Sequence, residues 1–401
     1  MPVVLMVVHG TDGDVLPFVR VGRALRARGH DVTVLSHEYY RPAVGAAGLD
    51  FVPVDTIAEY EYHLADAAEQ ADATRIEQFR EHFDRTGLFT QLRFEVGELV
   101  RRHRPGETVL VGASLSGQSA LIAAEATGAP LVCLAHSPFQ LLARDRVAWL
   151  YSQVLADRID TARADVGLPP VGDWSGWMSS AHRYVGLWPS WFDRAGTASP
   201  PGTPLAGFVL ADADQPDEVP PEVARLLADG PPPLLVSGGT GRLLHRAFYR
   251  SAVAAISSLG QRALLAVRHR DLVPDPLPPG TFWFPRLPFR AIAPHVAAVV
   301  HHGGIGTLGR ALASGTPQVI LASGLDRPDN ADRLARLGLA HPLSEPDWTA
   351  EAVAGAVRAA LDTPVPARPE VAGAGGADRA AGAIEAVLGG ALSGSGRTLS
   401  R

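Results

Sequence analysis

Lysine is absent from this 401-residue sequence, so all 36 basic residues are arginine. That absence removes a Walker-type phosphate lysine, a Schiff-base lysine and a lysine general base from the available mechanisms. Cysteine is almost absent as well. The single thiol, Cys133, lies in an apolar run without an intrachain partner. It therefore reads as a buried small hydrophobe, as suits a reducing compartment. There is no uncharged apolar stretch of the roughly eighteen residues that would span a bilayer. The first ten residues, MPVVLMVVHG, also lack the basic region, long apolar core and small-residue cleavage site of a secretory signal. A cytoplasmic location is expected. Basic residues are mixed with 42 acidic ones for a net charge of −6, so no basic stripe is available to track a phosphate backbone. Nucleic acid is not an expected partner.

What is present describes an α/β protein. A hydrophobic content of 46% can bury a large core, and the length argues for two domains. Val3 to Val8 reads as a strand, followed by a glycine turn, a helix from Leu16 to Arg28 and a second strand from Val32 to Leu35. Such a βαβ unit implies a parallel sheet. The pattern recurs at TVLVGASLSGQSALIAAEATGAPLVCLA, and again after Leu234. Between the two halves, prolines cluster in ASPPGTPLAGFVLADADQPDEVPPEVARLLADGPPP and interrupt regular structure. The expected division is a first domain over 1–212, a linker over 213–233, a second domain over 234–388 and a small, polar, frayed tail over 389–401. Asp212 and Asp214 form a D-x-D pair at the linker and read as solvated carboxylates, not metal ligands. Ligands of open parallel sheets sit beyond the carboxyl ends of the strands, and both glycine-rich loops of this chain lie at such ends.

The second of these loops is HHGGIGTLGRALASGTPQ, His301 to Gln318. Its glycines let the backbone approach a ligand, and the helix that follows offers unpaired N–H groups at its positive end. A phosphate or diphosphate is the natural occupant. GIGTLG also satisfies the dinucleotide fingerprint, but it does not follow the first strand of the chain, and Asp326 lies in a loop past the next strand. An NAD(P)-dependent oxidoreductase is therefore the lesser alternative. The first loop, HGTDGDVLP, surrounds Gly10 and Gly13 with His9, Asp12 and Asp14. Asp14 suits a helix cap and also a general base.

The chain resembles the inverting glycosyltransferases of the UDP-glycosyltransferase superfamily, in the bacterial branch that glycosylates natural products, sterols or lipids and includes rhamnosyltransferases. The resemblance runs through GTDGDVLPFVRVGRALRARGHDVTVLSHEYYRPAVGAAGLDFVPV, PLLVSGGTG, RLPFRAIAPHVAAVVHHGGIGTLGRALASGTPQ and LDRPDNADRLARLGLA. It implies the GT-B fold, with two Rossmann-like parallel-sheet domains facing a central cleft, the first binding acceptor and the second nucleotide-sugar. By position, Asp14 is implied as the catalytic base, and His301 as the contact to the donor diphosphate. Gly303, Gly306 and Thr307 would line the same anion site, Ser237 and Gly238 would approach the donor, and Leu287 would lie against the nucleobase. Asp326 would bind sugar hydroxyls, with Arg327 beside it. His9, Asp12, His136, Phe139 and Trp149 are the expected acceptor-side residues.

These residues suit displacement of a nucleoside diphosphate from an anomeric carbon. A helix amino terminus and a histidine can stabilise the leaving charge without a metal, while a base on the opposite face deprotonates the acceptor and the anomeric centre inverts. Neither a metal nor a resident cofactor is expected, only a dTDP- or UDP-linked sugar and a small apolar acceptor, in a monomer or homodimer. Three positions depart from the family. Arg327 replaces a usual glutamine and cannot accept a hydrogen bond. Gly309 and Arg310 stand where many relatives carry a ribose-binding glutamate, which favours a deoxyribose donor. Ser114 replaces the aspartate that supports a histidine base. These departures motivate the other alternative, a catalytically inactive sugar-nucleotide-binding auxiliary.

Overall fold

The computed structural model describes residues 2–70, 76–210, 218–242, 246–373 and 375–394. They form two six-stranded sheets in which every neighbouring pair is parallel. The first contains β1 (Val3–Val7), β2 (Asp31–Ser36), β3 (Asp50–Pro53), β4 (Thr108–Ala113), β5 (Leu131–Ala135) and β6 (Arg183–Gly186), in the order β3-β2-β1-β4-β5-β6. The second contains β7 (Leu234–Ser237), β8 (Ala263–Ala266), β9 (Thr281–Phe284), β10 (Ala298–His301), β11 (Gln318–Ala322) and β12 (His341–Ser344), in the order β12-β11-β10-β7-β8-β9. Counted from β7, the second sheet repeats the order of the first. In each, the strand order reverses between the first and fourth strands, β1 and β4 or β7 and β10. That reversal opens a crevice at the strands' carboxyl ends.

The strand sequences explain the layering. All five residues of β1 are buried. Val4 and Met6 enter one hydrophobic cluster, and Val3, Leu5 and Val7 enter another on the opposite face. Continuous apolar strands of this kind need helices on both faces. Leu234 and Val236 of β7 likewise part from Leu235 between two clusters. Cys133 of β5 is buried without a partner, and burial pushes its thiol up to about 12. No helix among the described residues is long and apolar enough to cross a membrane.

The division of the chain differs from the sequence expectation in three places. The first unit comprises residues up to Pro189, Ser199–Val209 and the last helix, while the second takes Ser190–Ala198 and the chain from Leu210 onward. The last helix, Gly375–Gly394, was expected to close the second domain and begin a frayed tail, but it packs on the first sheet. Ala377, Ala380, Ala381, Ile384 and Leu388 recur at helical spacing and share a cluster with Val4 and Phe18. Glu385 adds ion pairs to Arg28 at 2.7 Å and His30 at 2.8 Å. Within the expected linker, Pro221–Ala228 is a helix that buries Val223 in the second unit's core. Asp212 and Asp214 lie outside the described residues, as does the tail from 395.

The segment Ser190–Ala198 belongs to the second unit because Arg333 holds it there. Its guanidinium, fully buried, donates to the carbonyls of Asp193 at 2.6 Å, Phe192 at 3.2 Å and Thr197 at 2.8 Å, and to the Asp329 carboxylate at 2.7 Å.

Candidate active site

In the second unit, β7 and β10 end in glycine loops at the switch point. In the first unit, helix α1 spans Asp12–Ala27 and α2 Leu88–Arg102; in the second, α3 (Ile305–Ser314) follows β10. Gly304 caps α3, and no side chain satisfies the helix's first turn. The Thr307 and Leu308 N–H groups return to the Gly304 carbonyl, each at 3.1 Å, so those of Ile305 and Gly306 have no partner within the helix. Such an end attracts an anion. Gly303 has φ +92°, and a Cβ there would meet the Arg327 carbonyl oxygen and Ile320, both at 3.1 Å. Only glycine fits.

His302 occupies the space that two other glycines clear. A Cβ on Gly304 would stand 2.5 Å from its Nε2, and one on Gly239, at φ +83°, would stand 2.9 Å from its Cε1. The ring thus bridges the β7 and β10 loops. Burial, then the charge of Arg327, then His301 hold its pKa well below the ordinary value. It is neutral at physiological pH, with its N–H engaged by the Ser237 backbone and Nδ1 buried without a partner among the described residues.

His301 behaves otherwise, and the expectation that it touches a diphosphate is corrected. It is the last residue of β10 and fully buried. Nε2 bonds the Gln318 side-chain oxygen at 3.0 Å, and Nδ1 accepts the Gly303 N–H at 3.1 Å. Both nitrogens are thereby spent on the fold, and burial pushes the pKa down to about 4. Leu287 also departs from expectation, being 5% exposed and packed with Leu235, Ile292 and Val299. Its side chain packs into the core beneath the loop. Gly238 gives its N–H to the buried Tyr249 hydroxyl at 3.1 Å, and the Ser237 hydroxyl accepts the Gly239 N–H at 3.3 Å. These two residues shape the β7 loop, while Gly306 and Thr307 remain partly exposed on the first turn of α3.

The loop after β11 joins the same cradle. Asp326 precedes α4 (Arg327–Arg336). Asn330, the chain's only asparagine, donates to the Gly303 carbonyl at 3.1 Å and to the Asp326 carboxylate at 3.0 Å. Arg327 donates to the Ser323 carbonyl at 3.2 Å. Leu325 is 70% exposed at φ +51°, a conformation that costs a leucine energy and that folds tend to keep at working loops.

In the first unit, the loop between β1 and α1 lies at its own switch point. Gly10 has φ +116°, and a Cβ there would fall 2.4 Å from Asp14 Oδ2. That oxygen accepts the Thr11 N–H at 2.8 Å and the Thr11 hydroxyl at 3.1 Å. Asp14 therefore caps α1. The Gly10 peptide is gripped on both sides: its N–H reaches His37 Nε2 at 3.2 Å, and its carbonyl accepts from Tyr40 at 3.3 Å and Tyr60 at 3.1 Å. Tyr40 also reaches Asp12 at 3.2 Å. His37 in turn bonds Asp55 at 2.6 Å, with both side chains buried. His9 bonds Glu95 of α2 at 2.5 Å.

The other acceptor-side candidates disperse. His136 is buried after β5, with Phe18 at 5.6 Å; Phe139 is half-buried; Trp149 is exposed on the helix Arg144–Val154. Ser114, after β4, has a buried hydroxyl without a partner. Of the remaining tryptophans near it in sequence, Trp177 and Trp188 are core residues and Trp191 belongs to the second unit. Sequence reasoning missed His302, Asn330, Glu95, His37 and Asp55. Only His302 carried a signal, as the first residue beyond the strand in a pair of histidines. No group of three or more metal-ligating side chains occurs among the described residues.

Comparison with known proteins agrees with this architecture. A profile described as the glycosyltransferase family 28 N-terminal domain matches residues 4–133, and one described as the erythromycin biosynthesis protein CIII-like C-terminal domain matches residues 255–378. The chain is 30% identical to O-mycaminosyltylonolide 6-deoxyallosyltransferase of Streptomyces fradiae, over 90% of each protein. It is 26% identical to 4'-demethylrebeccamycin synthase of Lentzea aerocolonigenes, over 90% of this chain and 92% of that one. Among solved structures, glycosyltransferase VinC in complex with dTDP superposes with a TM-score of 0.67 at 22% identity, covering 96% of this chain and 99% of that one. The calicheamicin glycosyltransferase CalG4 gives 0.67 at 22%, covering 97% and 98%. With two switch-point sheets, an uncapped helix terminus behind a glycine loop and near-complete coverage by these relatives, the chain belongs to the natural-product branch of the UDP-glycosyltransferase superfamily and is a GT-B glycosyltransferase.

Proposed function

We propose that this glycosyltransferase moves a hexose or deoxyhexose from a dTDP- or UDP-linked donor to a small apolar natural-product or lipid acceptor, with inversion at the anomeric carbon. The observation that carries the donor side is the unpartnered amino terminus of α3 with His302 lying across its glycines. Two open backbone N–H groups, in a loop whose glycines the His302 ring packs against, suit a leaving diphosphate, whose charge grows as the glycosidic bond breaks. Arg327 adds a fixed positive charge close enough to depress His302. The reading needs no metal. The nearby Asp326, held by Asn330, supplies a carboxylate for sugar hydroxyls. Arg310, which donates to the Gly306 carbonyl at 2.6 Å, occupies the helix position where a ribose-binding glutamate is usual and favours a deoxyribose donor. On the acceptor side, the proton passes to the loop after β1, where the family resemblance points to Asp14.

A calorimetric panel of dTDP, UDP, GDP, NAD and NADP tests the donor reading. One nucleoside diphosphate binds in the micromolar range and NAD does not. Binding of NAD or NADP alone would overturn it. Inversion is checked by the anomeric proton coupling of the product. The second reading, an auxiliary that binds sugar nucleotide without turnover, is favoured by the commitment of Asp14 Oδ2 to the cap of α1. Diphosphate release on adding acceptor distinguishes the two.

A further inference from the structure

The loop after β1 contains a second acid–base group, built in a different way from Asp14. Glu95 sits in the middle of α2 and is 1% exposed. Burying a carboxylate is costly unless it is paired. Among the described residues its ion-pair partner is His9, whose Nε2 lies 2.5 Å from Oε1. The His9 side chain keeps 21% of its surface exposed, and no protein group among the described residues bonds its Nδ1. One nitrogen is thus anchored in the fold and the other is open, at the carboxyl end of the strand that borders the switch point.

The surrounding groups separate His9 from its neighbours. His37 stands edge-on at 5.5 Å, but its two nitrogens are taken by Asp55 and the Gly10 N–H. That bonding fixes His37 as a neutral tautomer, in line with its burial-lowered pKa. His63, stacked on His37 at 6.0 Å, is also held down by burial, to about 4. Asp12 accepts from Tyr40, and Asp14 caps α1 across Gly10 from His9. For His9 itself, burial lowers the pKa, but the charge and hydrogen bond of Glu95 outweigh it and raise the value above the ordinary one, with a smaller contribution from Asp55.

We propose that His9 and Glu95 form the general-base dyad of this transferase, with Nδ1 of His9 receiving the acceptor's proton. The acceptor O–H bond breaks toward Nδ1 while its oxygen forms the new bond to the anomeric carbon. The bond from that carbon to the diphosphate oxygen breaks with its electron pair, and Glu95 compensates the imidazolium that results. Asp14 then shapes the loop through its cap. The inference rests on the transferase reading and refines the destination of the proton within it.

The test uses the full chain with dTDP-glucose and UDP-glucose as donors and 4-methylumbelliferone as the probe acceptor, following diphosphate release from pH 5.5 to 9. The dyad predicts an acidic limb in kcat/KM above pH 6.5. His9→Gln loses that limb and roughly 10²- to 10⁴-fold in rate. Glu95→Gln moves the limb toward acid by about one unit, since the carboxylate no longer supports the cation. Asp14→Asn keeps the limb in place, whatever it does to the rate. An unchanged near-ultraviolet circular dichroism spectrum and melting temperature in the His9 and Glu95 variants shows that the first unit, which holds both residues, has folded. A His9→Gln enzyme within threefold of wild type, or a limb that vanishes in Asp14→Asn and survives in His9→Gln, overturns the proposal. Absence of diphosphate release from wild type with either donor counts against glucose and this acceptor as substrates, and the dyad is then judged by ring-carbon NMR. A His9 titration above 6.5 that falls in Glu95→Gln supports it, and one that Glu95→Gln leaves unmoved sinks it.

Discussion

Arg333→Ala is expected to loosen the second unit by about 3–5 kcal/mol, the usual cost of breaking a buried charged network by removing one partner. The guanidinium serves three backbone carbonyls of the crossing segment and the Asp329 carboxylate, so its loss leaves those carbonyls without their donor. Each charge-assisted bond contributes about 1.5–3 kcal/mol, and their sum is capped because the segment can drift toward water once released. Gly196 shows how tight the fit is, since a Cβ there would stand 2.8 Å from the guanidinium carbon. For a unit of roughly 170 residues, each kcal/mol moves the melting temperature by about 2–4 °C, so a loss of about 6–20 °C is expected. Thermal unfolding read by circular dichroism, with amide exchange over 190–198, measures it. The control is Arg336→Ala, which removes only an exposed bond to the Ala195 carbonyl at 3.3 Å and should cost under about 0.5 kcal/mol. If Arg333→Ala stays within about 1 kcal/mol of wild type and exchange over 190–198 is unaltered, the guanidinium does not hold the segment and the reasoning fails.

His302→Ala should weaken nucleoside diphosphate binding at least tenfold by calorimetry. Gly304→Ala should do the same with little change in melting temperature, because its methyl would displace the His302 ring. His301→Asn should alter stability more than affinity, and a loss of affinity as large as that of His302→Ala would restore His301 to the ligand side. The unit's stability should also fall as pH drops. His301 has a folded pKa of about 4 against 6.5 in the unfolded chain, so the unfolded state binds more protons between those values. Stability is full above pH 6.5 and declines toward pH 4 by up to about 3 kcal/mol, and urea titrations on His301→Asn should show a flatter profile.

The fold was legible because parallel strands buried on both faces leave continuous apolar runs, as in VVLMV and LLVS, and because glycine loops punctuate them. The glycine loops that end β7 and β10 were legible for the same reason. Which of the paired histidines lies against these loops was not legible. His301 and His302 are chemically identical in sequence, and only the end of β10 decides that one ring joins the sheet's interior while the other faces Gly239 and Gly304. Glu95 left no trace, since a glutamate on an amphipathic helix normally reads as surface and its burial depends on His9, 86 residues away. The last helix was credited to the wrong unit for a related reason. Its apolar stripe announces that it packs, but nothing in the stripe says against which sheet.

That helix makes the second unit an insertion within the first. During synthesis, the ribosome completes the whole second unit before Ala377, Ala380 and Ile384 exist to cover the sheet that was made first. The earliest-translated half therefore waits, its α1 face uncovered, through some 165 residues of later chain, Leu210 to Ala374. Nascent chains released at Ala374 should have a folded second unit yet expose apolar surface on the first, the unit that would most need a chaperone until the final helix emerges.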